Sequence, residues 1–433
     1  MVSAIDPSKP VDGTPASKAD LRANLLAAKN EIESLQALVA GTEGGFINAK
    51  DYGATGDGTT DDLATLEAAF AAAQTAKKGL FLPPGVYRIT DTWNLGGPTY
   101  LDINELAITE AEITGGAKYL EIWACPSYNA SNRAANHGAK HPVEVRGAGC
   151  PHTTIWGDFA NPPSGVKAIV ADWQAMYDSN PITGRRLVCG DFAIAGNDDR
   201  YNGSAWTIIG SGNTPANTQV GLFAPITMTN WQNLSVQNLY AGILSSDCYY
   251  TNYRNLYSQN CTYAFTFWQT NAMSLTSLHG LTNRDNTRFL AFWGNGSSVR
   301  DLSVQGYDTD LWLLQGSANK VSGCYFETNR PTAGYSIRCG ISTGGAQVID
   351  CLFDSINNPR VSEKNYRFRS TFDCAIIASR ILASGAANVL FEDTSSFVRG
   401  FSWDWTDANV TPAAGKTVAD QVSSWGRNVG ATI

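Results

Sequence analysis

The sequence predicts an all-β protein: a single-stranded parallel β-helix from about residue 46 to about residue 401, behind an α-helical leader. Three observations predict it. A short phrase recurs at a near-constant interval in the second half of the chain. Each copy alternates apolar and polar residues as a half-buried strand does. The composition adds 41 glycines and only 16% charged against 43% hydrophobic residues. That balance suits many short strands joined by tight turns, and excludes a helical bundle or a disordered chain.

The recurring phrase is Leu234-Ser-Val-Gln-Asn, then Leu256-Tyr-Ser-Gln-Asn, Leu278-His-Gly-Leu-Thr-Asn, Leu302-Ser-Val-Gln-Gly, Cys324-Tyr-Phe-Glu-Thr-Asn and Cys351-Leu-Phe-Asp-Ser. Its starts lie 22, 22, 24, 22 and 27 residues apart. A period in the low twenties is one β-helix coil, and no leucine-rich or propeller signature accompanies it. The first and third residues of each phrase are expected in the core, the second and fourth outside. The handedness of parallel crossovers favours a right-handed coil. Earlier coils are less regular: Val143-Glu-Val-Arg-Gly with Thr154-Ile-Trp-Gly, then Leu187-Val-Cys-Gly-Asp-Phe-Ala-Ile-Ala-Gly. The polar stretches 126–140 and 198–218 are expected as lateral insertions, where function often sits. After Phe401 the phrase is lost, and residues 402–433 are expected as a C-terminal cap or tail.

Residues 1–16 have no periodicity and are expected as an extended arm. Ser17 can cap a helix that Gly41 ends, with Leu21, Leu25, Ala28, Ile32, Leu35 and Val39 spaced 4-3-4-3-4. That spacing is a heptad seam. An amphipathic helix lying on its own domain is the alternative, but a strict 3.5-residue repeat favours a coiled coil between identical chains. Residues 17–41 are therefore expected as a trimeric coiled coil that attaches the chain to something else.

The run Asp51-Tyr-Gly-Ala-Thr-Gly-Asp-Gly-Thr-Thr-Asp-Asp62 comes next. An Ala-rich helix is expected near 60–76, with Thr59 and Asp62 as its capping pair. Leu82-Pro-Pro-Gly-Val-Tyr87 comes after it. This order resembles the opening of the pectate-lyase-like (pectin-lyase-like) right-handed β-helix superfamily, and especially its bacteriophage tail-spike and tail-fibre members. The resemblance is specific over residues 46–90 and looser beyond. It implies a right-handed solenoid whose N-terminal end is plugged by the helix, which would otherwise leave an open sheet edge. Asp57, Asp61 and Asp62 fit turn and cap chemistry better than a cation site, since an EF-hand's ligand spacing is absent.

Stacked coils bring equivalent residues about 4.8 Å apart. The second-position column is Ser235, Tyr257, His279, Ser303, Tyr325, Leu352, and the fourth is Gln237, Gln259, Leu281, Gln305, Glu327, Asp354. Amides and aromatics in such columns suit hydrogen bonding and stacking on sugar rings. Tyr257, Gln259, His279, Gln305 and Tyr325 are the candidate substrate-binding residues. Glu327 and Asp354 are the candidate catalytic pair. Carboxyls at about 5 Å match a retaining glycosidase, and the repulsion between them would raise one pKa and supply an acid. The plainer alternative is a solvated edge, or a carboxylate neutralised by Arg330 or Arg360. Asp308 and Asp310 form a weaker second pair.

Polygalacturonase relatives carry Asn-Thr-Asp, Asp-Asp and Gly-His-Gly within their coils. None stands here in that setting, and the Arg-rich lyase signature is missing. His137, His141, His152 and His279 do not cluster at metal-ligand spacing. The nine cysteines include no C-x-x-C pair, so buried free thiols are expected, with Cys324 and Cys351 on adjacent coils as either a thiol ladder or a bridge. Neither a metal nor a cofactor is expected.

The net charge of −8 and the absence of any clustered basic run argue against nucleic acid as a partner. No apolar run approaches the roughly 18 residues of a membrane span, so membrane insertion is not expected. The N-terminus has neither a basic n-region nor an apolar h-region, which weakens the reading of a secreted pectin enzyme. The expectation is a homotrimeric phage spike or fibre on the virion, acting outside the host cell. It would bind bacterial surface polysaccharide, with or without cleaving it, and join other tail or neck proteins through residues 1–41. The alternative is a non-catalytic fibre or adhesin.

Overall fold

In the computed structural model the chain divides into two units, Met1–Ile47 and Asn48–Ile433. The structure describes residues 45–95, 143–159, 167–172, 187–196, 199–201, 206–208, 219–225, 230–246, 250–282, 287–307 and 309–327, then 335–339, 343–344, 347–349, 352–354, 364–368, 371–372, 374–377, 380–382, 389–391, 398–401 and 410–424. The expected arm 1–16, the coiled coil 17–41, the insertion 126–140, His137, His141, Asp308, Arg330, Arg360 and Cys351 lie outside the described residues. Of the first unit only residues 45–47 are described.

The second unit is a parallel β-helix. Its chain alternates between two long parallel sheets, advancing one strand in each sheet per coil. In one sheet Val188–Ala195, Asn230–Gln237, Asn252–Gln259, Ser274–Leu281 and Ser298–Gln305 stack in order. In the other, Lys167–Asp172, Gln219–Pro225, Ala241–Ser246, Tyr263–Asn271, Arg288–Asn295 and Thr309–Ser317 do the same. The winding continues through Tyr325–Glu327 and Leu352–Asp354 to Val398–Phe401, which pairs with Val422–Ser424. Within residues 410–424, Val410–Thr411 and Val422–Ser424 add a strand to each sheet, with a short helix at Val418–Gln421 between them. The polar stretch 198–218 carries a two-stranded antiparallel hairpin, Asp199–Tyr201 with Trp206–Ile208.

Each coil is divided into three straight runs by corners, and each corner is a column of left-handed residues. Asp191, Asn233, Asn255, Ser277 and Asp301 have φ of 64, 52, 52, 57 and 55°, with Gly323 above them at 63°. They split the long strands of the first sheet into two faces, and the backbone ladder skips them. A second corner uses Asn238, Asn260 and Gly306, and a third uses Tyr250, Ala272, Gly296 and Ala318. Asn and Asp tolerate this region because their short polar side chains bond locally. Here they bond from coil to coil as well: Asn255 Nδ2 donates to Asn233 Oδ1 at 2.9 Å, and Asn233 Nδ2 donates to Asp191 Oδ1 at 2.6 Å.

The core is a set of inward columns. Trp231, Tyr253, Leu275, Val299 and Val321 form one column, and Leu234, Leu256, Leu278 and Leu302 form the next. From the opposite sheet Phe289 stands edge-on between Phe265 and Tyr307, at centroid separations of 5.2 Å to each. Two buried tyrosine hydroxyls are partnered: Tyr307 with Ser258 at 3.0 Å, and Tyr253 with Ser245 at 3.1 Å. Full burial of one such large side chain contributes on the order of 2–3 kcal/mol. Gly280 makes room for this packing, since a Cβ there would lie 2.2 Å from Phe289 Cε2.

The solenoid opens with a 3-10 turn at Ala49–Tyr52, the strand Asp57–Asp61 and the helix α1 at Leu63–Ala76. The helix buries Leu66, Ala69, Phe70 and Ala73. It packs against the 3-10 turn and the strands Gly79–Leu82 and Trp93–Leu95. The expected capping pair is corrected. Thr59 lies in the preceding strand, and Asp57 Oδ1 accepts the N–H groups of Thr59 and Thr60 at 2.8 Å each. Asp62 occupies the N-cap position but makes no cap bond. It turns inward to accept from Thr55 N, Thr55 Oγ1 and Gly56 N at 2.7, 3.1 and 3.0 Å, pinning the loop before the strand. An S/T-x-x-D sequence satisfies a turn as readily as a helix start, and here the turn wins.

Candidate functional site

The outward columns come from strand alternation on the face that comes after the Asn233 corner. Leu234 and Val236 are buried while Ser235 and Gln237 are half-exposed, and the pattern repeats in each coil to Tyr325. Register is continuous. Ser235 pairs with Tyr257, Tyr257 with His279, His279 with Ser303, Ser303 with Tyr325, and Tyr325 with Leu352. Gln237 pairs with Gln259, Gln259 with Leu281, Leu281 with Gln305, Gln305 with Glu327, and Glu327 with Asp354. All seven candidate residues therefore belong to one face, in two neighbouring columns. Tyr257 and His279 are exposed, and Gln259, Gln305 and Tyr325 half-exposed. Tyr257 is 39% exposed, one of the few large hydrophobic side chains left uncovered among the described residues. Glu327 and Asp354 are register partners on adjacent parallel strands, which lie about 4.8 Å apart.

A second outward face precedes the same corner, and the phrase starting at Leu234 did not reveal it. Its two columns run Asn230, Asn252, Ser274, Ser298, Lys320 and Gln232, Arg254, Thr276, Arg300, Ser322. Polar side chains bridge successive coils here too. Asn252 Nδ2 donates to Asn230 Oδ1 at 3.0 Å, and Arg254 donates to Gln232 Oε1 through Nε at 3.0 Å and Nη2 at 2.5 Å. A groove of about 610 Å³ runs over this face, bounded at its lower end by Arg146. Arg146 is held by Asp191, Nη1 to Oδ2 at 2.6 Å. The missed signal was in the sequence. Asn230-Trp-Gln-Asn233, Asn252-Tyr-Arg-Asn255, Ser274-Leu-Thr-Ser277 and Ser298-Val-Arg-Asp301 directly precede the phrase copies, each ending on a corner residue.

Elsewhere the electrostatics are structural. Backbone N–H groups of Thr60 and Thr59 hold the Asp57 carboxyl well below its ordinary value. Burial pushes the Cys189 thiol up and Tyr87 up as well. Cys189, Cys261 and Cys324 are buried, and Cys150 is exposed. No cluster of three or more His, Cys, Asp or Glu able to hold a metal occurs among the described residues. No described helix is long and apolar enough to cross a membrane.

Comparison with known proteins agrees with this architecture. The family model for rhamnogalacturonase A/epimerase, pectate lyase-like, matches residues 46–101. Mannuronan C5-epimerase AlgE3 of Azotobacter vinelandii is 47% identical over 55 residues, which is 12% of this chain and 3% of the epimerase. A mutant tailspike protein of E. coli bacteriophage HK620, solved in complex with a pentasaccharide, superposes with a TM-score of 0.55 at 10% identity, covering 89% of this chain and 66% of that one. PfbA, a surface adhesin of Streptococcus pneumoniae, superposes with a TM-score of 0.50 at 8% identity, covering 82% and 84%. The chain thus has the fold of the pectate-lyase-like right-handed β-helix superfamily. Carbohydrate epimerases, phage tailspikes and an adhesin are among the proteins it resembles.

Proposed function

We propose that this protein binds a bacterial surface polysaccharide along the outward columns of its β-helix, as a phage tail spike or tail fibre. The observation that carries the reading is the unbroken register from Ser235 to Leu352 and from Gln237 to Asp354. It sets exposed rings and amides at regular intervals along one face, a platform suited to an extended glycan. The resemblance of the fold to a tailspike solved with a pentasaccharide supports the same reading. Glu327 and Asp354 are its catalytic pair, acting as acid and nucleophile in a retaining hydrolysis. Residues 17–41 trimerise the chain, and residues 1–41 join it to other virion tail or neck proteins.

A second reading is a non-catalytic fibre or adhesin using the same face for binding alone. The missing coil motifs of polygalacturonases favour it, as does the likeness to an adhesin. Purified protein incubated with host capsule or lipopolysaccharide separates the two. New reducing ends or unsaturated uronates mark an enzyme, and Glu327→Gln then removes turnover while leaving binding. Binding without product selects the second reading. No binding to any surface glycan of the host sinks both. Light scattering tests the trimer, which a monomer would overturn.

A further inference from the structure

The face before the Asn233 corner carries cations in its outward columns. The chain carries a net −8, yet from coil to coil the two outward columns of this face hold no carboxylate between Val188 and Ser322. They hold three cations instead: Arg254, Arg300 and Lys320, all exposed. The acidic residues nearby, Asp191 and Asp301, stand at the corner, and Asp191 is engaged by Arg146 and Asn233. Arg254 pairs in register with Thr276 and Thr276 with Arg300, so the backbones of the two arginines are two strand spacings apart along the stack, about 9.6 Å. Arg254 is pre-oriented, because Nε and Nη2 both donate to Gln232 Oε1, which leaves Nη1 directed away from that bond. The groove at this face is lined from Arg146 through Arg254 to Thr276, and Arg300 stands one coil above its last lining residue.

We infer that this second face is a binding surface for an anionic glycan, with Arg254 and Arg300 engaging its acidic groups. The inference rests on the polysaccharide-binding reading and names the chemical class of the glycan. A guanidinium presents planar paired donors that match carboxylate and sulfate.

The test uses the full chain against immobilised polygalacturonate and alginate as acidic probes. Dextran and carboxyl-reduced polygalacturonate serve as neutral ones. The expected result is binding to at least one acidic probe that weakens as salt is raised. Arg254→Gln/Arg300→Gln should weaken it about tenfold with an unchanged melting temperature, while Lys77→Gln/Lys416→Gln on other surfaces leaves it intact. Equal binding by the Arg254→Gln/Arg300→Gln protein overturns the inference. So does binding only to neutral probes, which leaves the polysaccharide reading standing. No binding to any probe or to host capsule overturns both.

Discussion

The side-chain amide of Asn255 donates to that of Asn233 one coil below, across 2.9 Å, while both residues hold the left-handed backbone that turns the strand. One residue type thus does two jobs, setting the corner and tying it to the next. Asn233→Ala loses both, because Ala disfavours positive φ by about 1–2 kcal/mol and the ladder loses a hydrogen-bonded member worth about 1 kcal/mol. Asn233→Gly keeps the backbone and loses only the ladder. Urea denaturation is expected to rank wild type above Gly above Ala, and the reverse order of the two variants would refute the corner argument.

Gly280 gives a test of the core. A Cβ there meets Phe289, which is wedged between Phe265 and Tyr307. Gly280→Val is expected to cost about 1–3 kcal/mol by overpacking. Adding Phe289→Leu should recover part of that loss, as contacting sites couple. Additive losses in the double variant would show that the ring is not what fills the glycine's space.

The Asp57 turn predicts a pH signature. Its carboxyl is held below the ordinary value of 3.8 by the Thr60 and Thr59 N–H groups. Between 3.8 and its lower folded value the unfolded chain binds the proton more tightly than the native one does. Its contribution is therefore present above 3.8 and lost as pH falls through that window. Asp57→Ala should melt below wild type at pH 7, and the gap should close on acidification below pH 3.8. A gap independent of pH would mean that the carboxylate charge is not what holds the turn.

Cys150 is exposed yet shielded. Its Sγ lies 3.2 Å from the carbonyl oxygen of Asn233, and burial pushes the thiol up from 9.0 to about 11. At pH 8 the thiolate fraction should be about a hundredfold below that of an ordinary cysteine. Iodoacetamide labelling followed by peptide mapping should find Cys150 slow at pH 8, with a rate still rising above pH 10. Rapid labelling at pH 8 would contradict this.

Tyr257 stands foremost on the proposed glycan face. Tyr257→Ala should leave the melting temperature within the scatter of surface substitutions, since the ring is 39% exposed. It should also weaken polysaccharide binding about tenfold by removing a stacking platform. Unchanged affinity for the host glycan would remove this column from the binding surface.

Much of the solenoid was legible because period-two alternation survives from Leu234 to Gln237 and from each later phrase start. The columns follow from counting, and the paired registers agree with the count at every coil from Ser235 to Asp354. The preceding face was lost for a physical reason. The corner residue Asn233 consumes one position without pairing, so alternation restarts out of phase and Trp231 and Leu234 both point inward. Thr59 misled in another way, because capping and Asx-turn chemistry share a sequence. For Glu327 and Asp354, adjacency was legible. Chemistry was not, since reactivity depends on what surrounds two carboxyls rather than on where their strands pair.

The three corners give the solenoid something like a reading frame. Deleting one residue between corners inverts which side chains face in for the rest of that run. Deleting residues 252–273, one coil from one corner-ending run to the next, joins Thr251 to Ser274 and leaves every column aligned. The surface along the stack can thus lengthen or shorten only in whole coils. Lineages of such a protein would be expected to differ in coil number and in the residues facing outward, while the corners stay in step.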